Sequence, residues 1–201
     1  AVTWVQARIF LTRFAYIYIY LLIGKALPHN FSNSFAQPLS HGALVQLTLA
    51  RGDQELVDEY NNHTLEYTPN GGSLDLREEI AKLYSPSIGP ANVLVFTGAQ
   101  PALQTAAMAL LDKSTHAIVF TPGYQSVQEC PLHAGSQLTR LELTADNGWQ
   151  IDLEAVEQAI RSNTRYIVVN QPHNPTGSLM APETQRRLTE LADKHGIYIM
   201  S

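Results

Sequence analysis

Cysteine is almost missing from this chain: Cys130 stands alone among 201 residues. A lone thiol excludes an internal disulfide framework and a cysteine-rich zinc site, and makes a reducing, cytoplasmic setting the default expectation. Cys130 lies among apolar helix residues and reads as a packed thiol. Charge is scarce too. Charged side chains make up 15%, and 13 basic residues face 18 acidic ones, giving a formal net charge of -5. That balance argues against nucleic acid as a partner and against electrostatic attachment to acidic lipid. No apolar run reaches the roughly 20 residues that a membrane span needs. The most suspicious stretch, Phe14–Ile23, is interrupted by three tyrosines. Its length suits a signal-peptide core behind Arg8 and Arg13, yet no small-residue cleavage site follows at once. It reads as a buried element or as an N-terminal arm on a partner. The sequence also lacks the GxGxxG fingerprint, the G-x-S-x-G nucleophile elbow and any His/Asp/Glu cluster at metal spacing.

What is present is a chain with 45% hydrophobic residues, enough to bury a sizeable core. It begins at Ala1 and stops at Ser201 inside an apolar run, so both ends read as cut. To about Ala50 the sequence reads as irregular, with breakers at Gly24, Pro28, Pro38 and Gly42. Gln54–Asn61 predicts a short helix. After the turn cluster Thr68–Gly72, Ser73 is an N-cap candidate for an amphipathic helix over Leu74–Tyr84, with Leu76, Ile80 and Leu83 on one face.

From Ala91 the pattern changes. Short apolar runs at Val93–Phe96, His116–Phe120, Tyr166–Val169 and Ile197–Met200 alternate with helical stretches, and Gln137–Leu141 is a further strand candidate. The helices are expected over Gln100–Leu111, Gln125–His133, Asp152–Arg161 and Pro182–His195. Pro182 suits a first helical turn and Gly196 a helix end. Strands apolar on both faces and alternating with helices specify an α/β fold, a mostly parallel sheet flanked by helices.

In such sheets ligands bind beyond the carboxyl ends of the strands. Three loops fall there. In Thr97-Gly98-Ala99-Gln100, small residues leave the backbone bare at a helix start, where free N–H groups favour an anion such as phosphate. The same residues also suit a plain turn. In Thr121-Pro122-Gly123-Tyr124, the Tyr124 ring offers a face for a flat heteroaromatic ligand, or packs on its own loop. In His173-Asn174-Pro175-Thr176-Gly177, prolines stiffen a segment whose Asn174 amide can donate to a phenolate-type oxygen. His173 stands beside Asn174 as a candidate supporting residue. His116 and His133 read as structural or surface residues.

Taken in this order, Thr97-Gly98-Ala99-Gln100, Tyr124 and Asn174-Pro175-Thr176-Gly177 resemble the class I/II aminotransferases, pyridoxal 5'-phosphate enzymes of fold type I. Leu65–Gly72 and the Leu76-Arg77-Glu78 helix are similar to the same pattern, so the resemblance runs from about Asn33 to Ser201. Thr121–Ser126 and Asn147-Gly148-Trp149 are similar to a less characterised branch with capreomycidine-synthase-like members. The resemblance implies an arm and partial small domain over 1–50, linking helices over 51–90, and part of the cofactor-binding large domain over 91–201. It implies that backbone groups of Gly98, Ala99 and Gln100 hold the cofactor phosphate, that Tyr124 stacks on the pyridine ring, and that Asn174 bonds its O3′. It further implies a homodimer in which Tyr67 reaches the neighbouring subunit's phosphate, and cis peptides before Pro122 and Pro175. Residues 1–27 match nothing in the family.

The resemblance also requires a carboxylate for the pyridine nitrogen and a Schiff-base lysine, both expected beyond Ser201. The lysines present are Lys25, Lys82, Lys113 and Lys194, and none follows a strand near the three loops. By itself this chain is therefore expected to form no covalent link to the cofactor and to be inactive. The function implied is amino-group transfer between an amino acid and a 2-oxoacid. The alternatives are a lyase or cyclising synthase of the same fold, or an inactive binding protein.

Overall fold

The computed structural model describes residues 37–201, so Phe14–Ile23, Lys25 and the expected N-terminal arm lie outside the described residues. The chain divides into two units, 1–66 and 67–201.

In the first unit, α1 spans His41–Ala50 and α2 spans Gln54–Asn62. The first of these corrects the expectation of irregular chain up to Ala50. Ser40 caps α1, its hydroxyl accepting the Ala43 N–H at 3.1 Å. Gly42 falls in the first turn, and its penalty of about 1 kcal/mol is outweighed by the alanine, leucine and glutamine around it. Val57 of α2 is buried, and the His41 and Tyr60 rings lie 5.1 Å apart.

The second unit is built on a four-stranded parallel sheet. Its strands are β1 (His116–Thr121), β2 (Gln137–Glu142), β3 (Thr164–Val168) and β4 (Tyr198–Met200), in the order β2-β1-β3-β4. The helices are α3 (Leu74–Ala81), α4 (Ala99–Leu110), α5 (Gln125–His133), α6 (Leu153–Ala159) and α7 (Pro182–His195). Side chains alternate across a strand with period two, so a run buried on both faces feeds two cores. Ile118, Phe120, Ile167 and Val169 point into one core with Val156 of α6 and Leu188 and Ala192 of α7. Ala117, Val119, Tyr166 and Val168 point into the other with Ala107 of α4 and Cys130 of α5.

Local signals set the helix ends. Ser73 Oγ accepts the Leu76 N–H at 3.4 Å, and Asp152 Oδ1 accepts the Glu154 and Ala155 N–H groups at 2.9 and 3.3 Å. Pro182 opens α7, and Gly196 ends it in the left-handed region. Two expectations shift. The third helix stops at Ala81, leaving Leu83 and Tyr84 exposed. Val93–Phe96 does not join the sheet. Only Val93 is buried there, and the Val95 N–H donates to the Gly71 carbonyl at 2.9 Å. That segment is satisfied by the Gly71 turn instead of a neighbouring strand.

One buried polar group ties the sheet together away from the carboxyl ends. His116, fully buried at the start of β1, bonds Thr164 Oγ1 on β3 and Thr139 Oγ1 on β2, each at 2.8 Å. Arg161 reaches the same Thr139 hydroxyl at 3.2 Å. Burial, and then the positive charge of Arg161, push the His116 pKa below its ordinary value of 6.5. The folded state therefore holds the imidazole neutral while the unfolded chain takes up a proton. This contribution to stability is complete above pH 6.5 and declines as pH falls through and below that value. Exposed Asp112 and Glu183 also have lowered pKa values, through hydrogen bonds from Ser114 and Arg186, and their contribution is lost at lower pH. Urea midpoints measured against pH are expected to fall below pH 6.5 in the parent chain. In His116→Gln that early fall should vanish, even if stability at neutral pH is lower.

Candidate functional site

The strand order creates the site. The chain passes from β1 outward to β2 by way of α5, returns past β1 to β3 through α6, and continues to β4 through α7. Because α5 and α7 cover opposite faces, the loops leaving β1 and β3 part at their carboxyl ends. A crevice opens at such a reversal. Here a hollow is lined from the β1 side by Gly123, Tyr124 and Gln128, and from the β3 side by Asn170, Gln171 and His173.

The β1 side is shaped by a close approach. A Cβ on Gly123 would lie 2.5 Å from Gln128 Nε2 and 2.9 Å from the Phe120 carbonyl oxygen. Gln128 uses that same Nε2 to donate to the Phe120 carbonyl at 2.9 Å, closing the end of the strand. Tyr124 follows directly, with 43% of its surface exposed at the start of α5. The ring is thus presented rather than packed away.

The first loop joins the second through a side chain. Gln100 Nε2 donates to Tyr124 Oη at 3.1 Å. Gly98 precedes α4 with φ 128°, a conformation that side-chain-bearing residues rarely adopt. Among the described residues, no acceptor takes the N–H groups of Gly98, Ala99 or Gln100. Three donors at a helix start, beside a displayed aromatic ring, suit the phosphate and ring of a phosphorylated heteroaromatic group.

The third loop is the most heavily bonded. The His173 N–H donates to the Ser178 carbonyl at 2.9 Å, and the Gly177 N–H to the His173 carbonyl at 2.7 Å. Buried His173 pairs its Nδ1 with Thr176 Oγ1 at 2.7 Å. Ser178 Oγ donates to the carbonyl of Trp149 at 3.3 Å, and Trp149 itself holds φ 62°. Asn174 is exposed on this loop, and its N–H donates to Asn170 Oδ1 at 3.0 Å. The Thr121–Pro122, Gln171–Pro172 and Asn174–Pro175 bonds are cis, which includes both that the family resemblance implies.

The expected residues are thus partly gathered. Gln100 and Tyr124 touch, and Tyr124 shares the hollow with residues of Asn174's loop. Gly98 and Ala99 precede Gln100 at the start of α4, and neither these three residues nor Asn174 lines the hollow itself. Tyr67 is fully exposed. Of the lysines, Lys82 pairs with Glu79 and Lys194 with Glu157, and Lys113 lies before β1, away from the carboxyl ends of the strands. Gln128 and Asn170 carry structural roles that the loop motifs did not reveal. The available signal for Asn170 was an asparagine at a strand end, a residue type that habitually bonds nearby backbone N–H groups.

Residues 38–201 match the family described as aminotransferase class I and II. The aspartate aminotransferase of Geobacillus stearothermophilus is 37% identical over 149 residues, which are 72% of this chain and 38% of that protein. The aspartate aminotransferase of Thermotoga maritima is 36% identical over 152 residues, 74% of this chain and 40% of that protein. Among solved structures, a pyridoxal-phosphate-dependent aminotransferase from Streptococcus suis superposes with a TM-score of 0.71 at 28% identity, covering 78% of this chain and 42% of that one. A Thermus thermophilus aspartate aminotransferase variant gives 0.68 at 29% identity, covering 83% and 42%. The chain therefore spans about two fifths of the length of these relatives.

The packing at Gly123 gives a direct check. Gly123→Ala is expected to displace Gln128 from the Phe120 carbonyl and cost about 1–3 kcal/mol, the usual range for overpacking. Chemical denaturation measures this, and an unchanged unfolding midpoint would contradict the close approach.

Proposed function

The chain belongs to the class I and II aminotransferases, and from that premise we propose that it seats pyridoxal 5'-phosphate in a protein that moves an amino group between an amino acid and a 2-oxoacid. The supporting observation is the hollow at the β1/β3 reversal, with Tyr124 displayed at its rim and tied to the start of α4 by Gln100. The free N–H groups of Gly98, Ala99 and Gln100 hold the phosphate, helped by the positive end of the α4 dipole. The Tyr124 ring stacks on the pyridine and keeps water from that face. The Asn174 amide donates to the ring's O3′ and favours its ionised form. Tyr67, exposed in this chain, reaches the phosphate bound by a second subunit of a cytoplasmic homodimer. Bound pyridoxal phosphate supplies an electron sink for charge developing at the amino acid's Cα. The relatives named above make aspartate the first amino donor to try.

Three measurements test this reading. Equilibrium dialysis is expected to show pyridoxal phosphate retained by the parent chain. Asn174→Ala should retain it about tenfold less well, as loss of one hydrogen bond to a charged group implies. Borohydride reduction of the mixture should fix cofactor stoichiometrically to none of Lys25, Lys82, Lys113 and Lys194. Stoichiometric labelling of one of them would overturn this reading of the anchor. The complete protein, supplied with aspartate and a 2-oxoacid, should exchange amino groups. Release of ammonia without exchange would place it with lyases.

A further inference from the structure

We propose that Asn170 is a positioning residue for Asn174, holding the loop that presents the Asn174 amide to the cofactor. The inference rests on the reading of Asn174 as the donor to O3′. Asn170 sits two residues beyond the end of β3, directly after Val169, whose N–H donates to the Met200 carbonyl at 2.8 Å. Its root is therefore bonded to the neighbouring strand. From there its side chain spans four residues to accept the Asn174 N–H at 3.0 Å. The acceptor must be the amide oxygen, because a backbone N–H can only donate. His173, one residue earlier in the loop, is buried and held by its bonds to Ser178, Gly177 and Thr176. Asn174 is exposed, and no other described side chain bonds its backbone. Fixing the Asn174 N–H orients the His173–Asn174 peptide plane, which contains the Cα that carries the side chain. That is where an amide donor gains preorganisation, and a displacement of about 1 Å at a reacting centre can cost on the order of 100-fold. Asn170 also lines the hollow, so the same residue that steadies the donor borders the space the ligand would enter.

The experiment combines amide exchange with a spectroscopic titration of the 201-residue chain loaded with pyridoxal phosphate. Without cofactor, Asn170→Ala should make the Asn174 amide exchange at least tenfold faster, and Asn170→Asp, which keeps an acceptor oxygen, should restore protection. With cofactor, the absorbance change on ionisation of its 3-hydroxyl is followed against pH. Asn174→Ala should raise the midpoint, and Asn170→Ala should raise it in the same direction. The double variant should go no further than Asn174→Ala alone, because both changes act through one donor. A merely structural role for Asn170 would lower thermal stability and leave the midpoint in place. Asn170→Ser, too short to span the gap, reads the same loss where the alanine variant does not fold. A raised midpoint in Asn174→Ala with an unmoved one in Asn170→Ala overturns this inference alone. An unmoved midpoint in Asn174→Ala overturns the assignment of Asn174, and this inference with it.

Discussion

Between β1 and β3 the chain reverses the direction in which it lays down strands, and the rest of the site follows from that reversal. It is possible only because both strands are buried on both faces. Ile118 and Ile167 serve the core under α6 and α7, while Val119 and Val168 serve the core under α4 and α5. Helices on opposite faces draw the two outgoing loops apart. The gap between them is lined by residues from both. A chain that kept adding strands on one side would have no such gap at its centre.

Polar groups are distributed unequally between the two ends of the sheet. At the amino end, His116 has both ring nitrogens bonded to threonine hydroxyls and links three strands. Its partners leave nothing open for a ligand. At the carboxyl end, backbone donors and side chains are exposed, and the links run between loops, as from Gln100 to Tyr124, or within one, as from Asn174 to Asn170. One end is closed by saturated hydrogen bonding, and the other is preorganised but accessible.

Much of this could be read from residue order. Ala117–Phe120 is apolar throughout, and Pro182 and Gly196 bracket α7, so the parallel α/β pattern was legible. So were the second and third loops, which follow β1 and β3, whereas the first follows Val93–Phe96, which is no strand of the sheet. What was not legible depends on proximity in space. Gln100 and Tyr124 lie 24 positions apart, and nothing in either loop announces that their side chains meet. Val93–Phe96 has the composition of a strand, but composition does not say which backbone its N–H groups will find, and Val95 found Gly71. At α1 Pro38 and Gly42 suggest a break, whereas the Ser40 cap and the alanine and leucines that follow it favour a helix.

Trp149 holds a left-handed backbone that a bulky side chain disfavours. Its N–H donates to the Thr144 carbonyl at 2.8 Å, and its own carbonyl is held by Ser178 from the third loop. Such a conformation persists only while its surroundings over-determine it. The one hydrogen bond from Ser178 ties the turn at 144–149 to the end of the Asn174 loop, although some thirty residues of chain separate them, so a strained turn outside the hollow and the segment carrying Asn174 share a constraint.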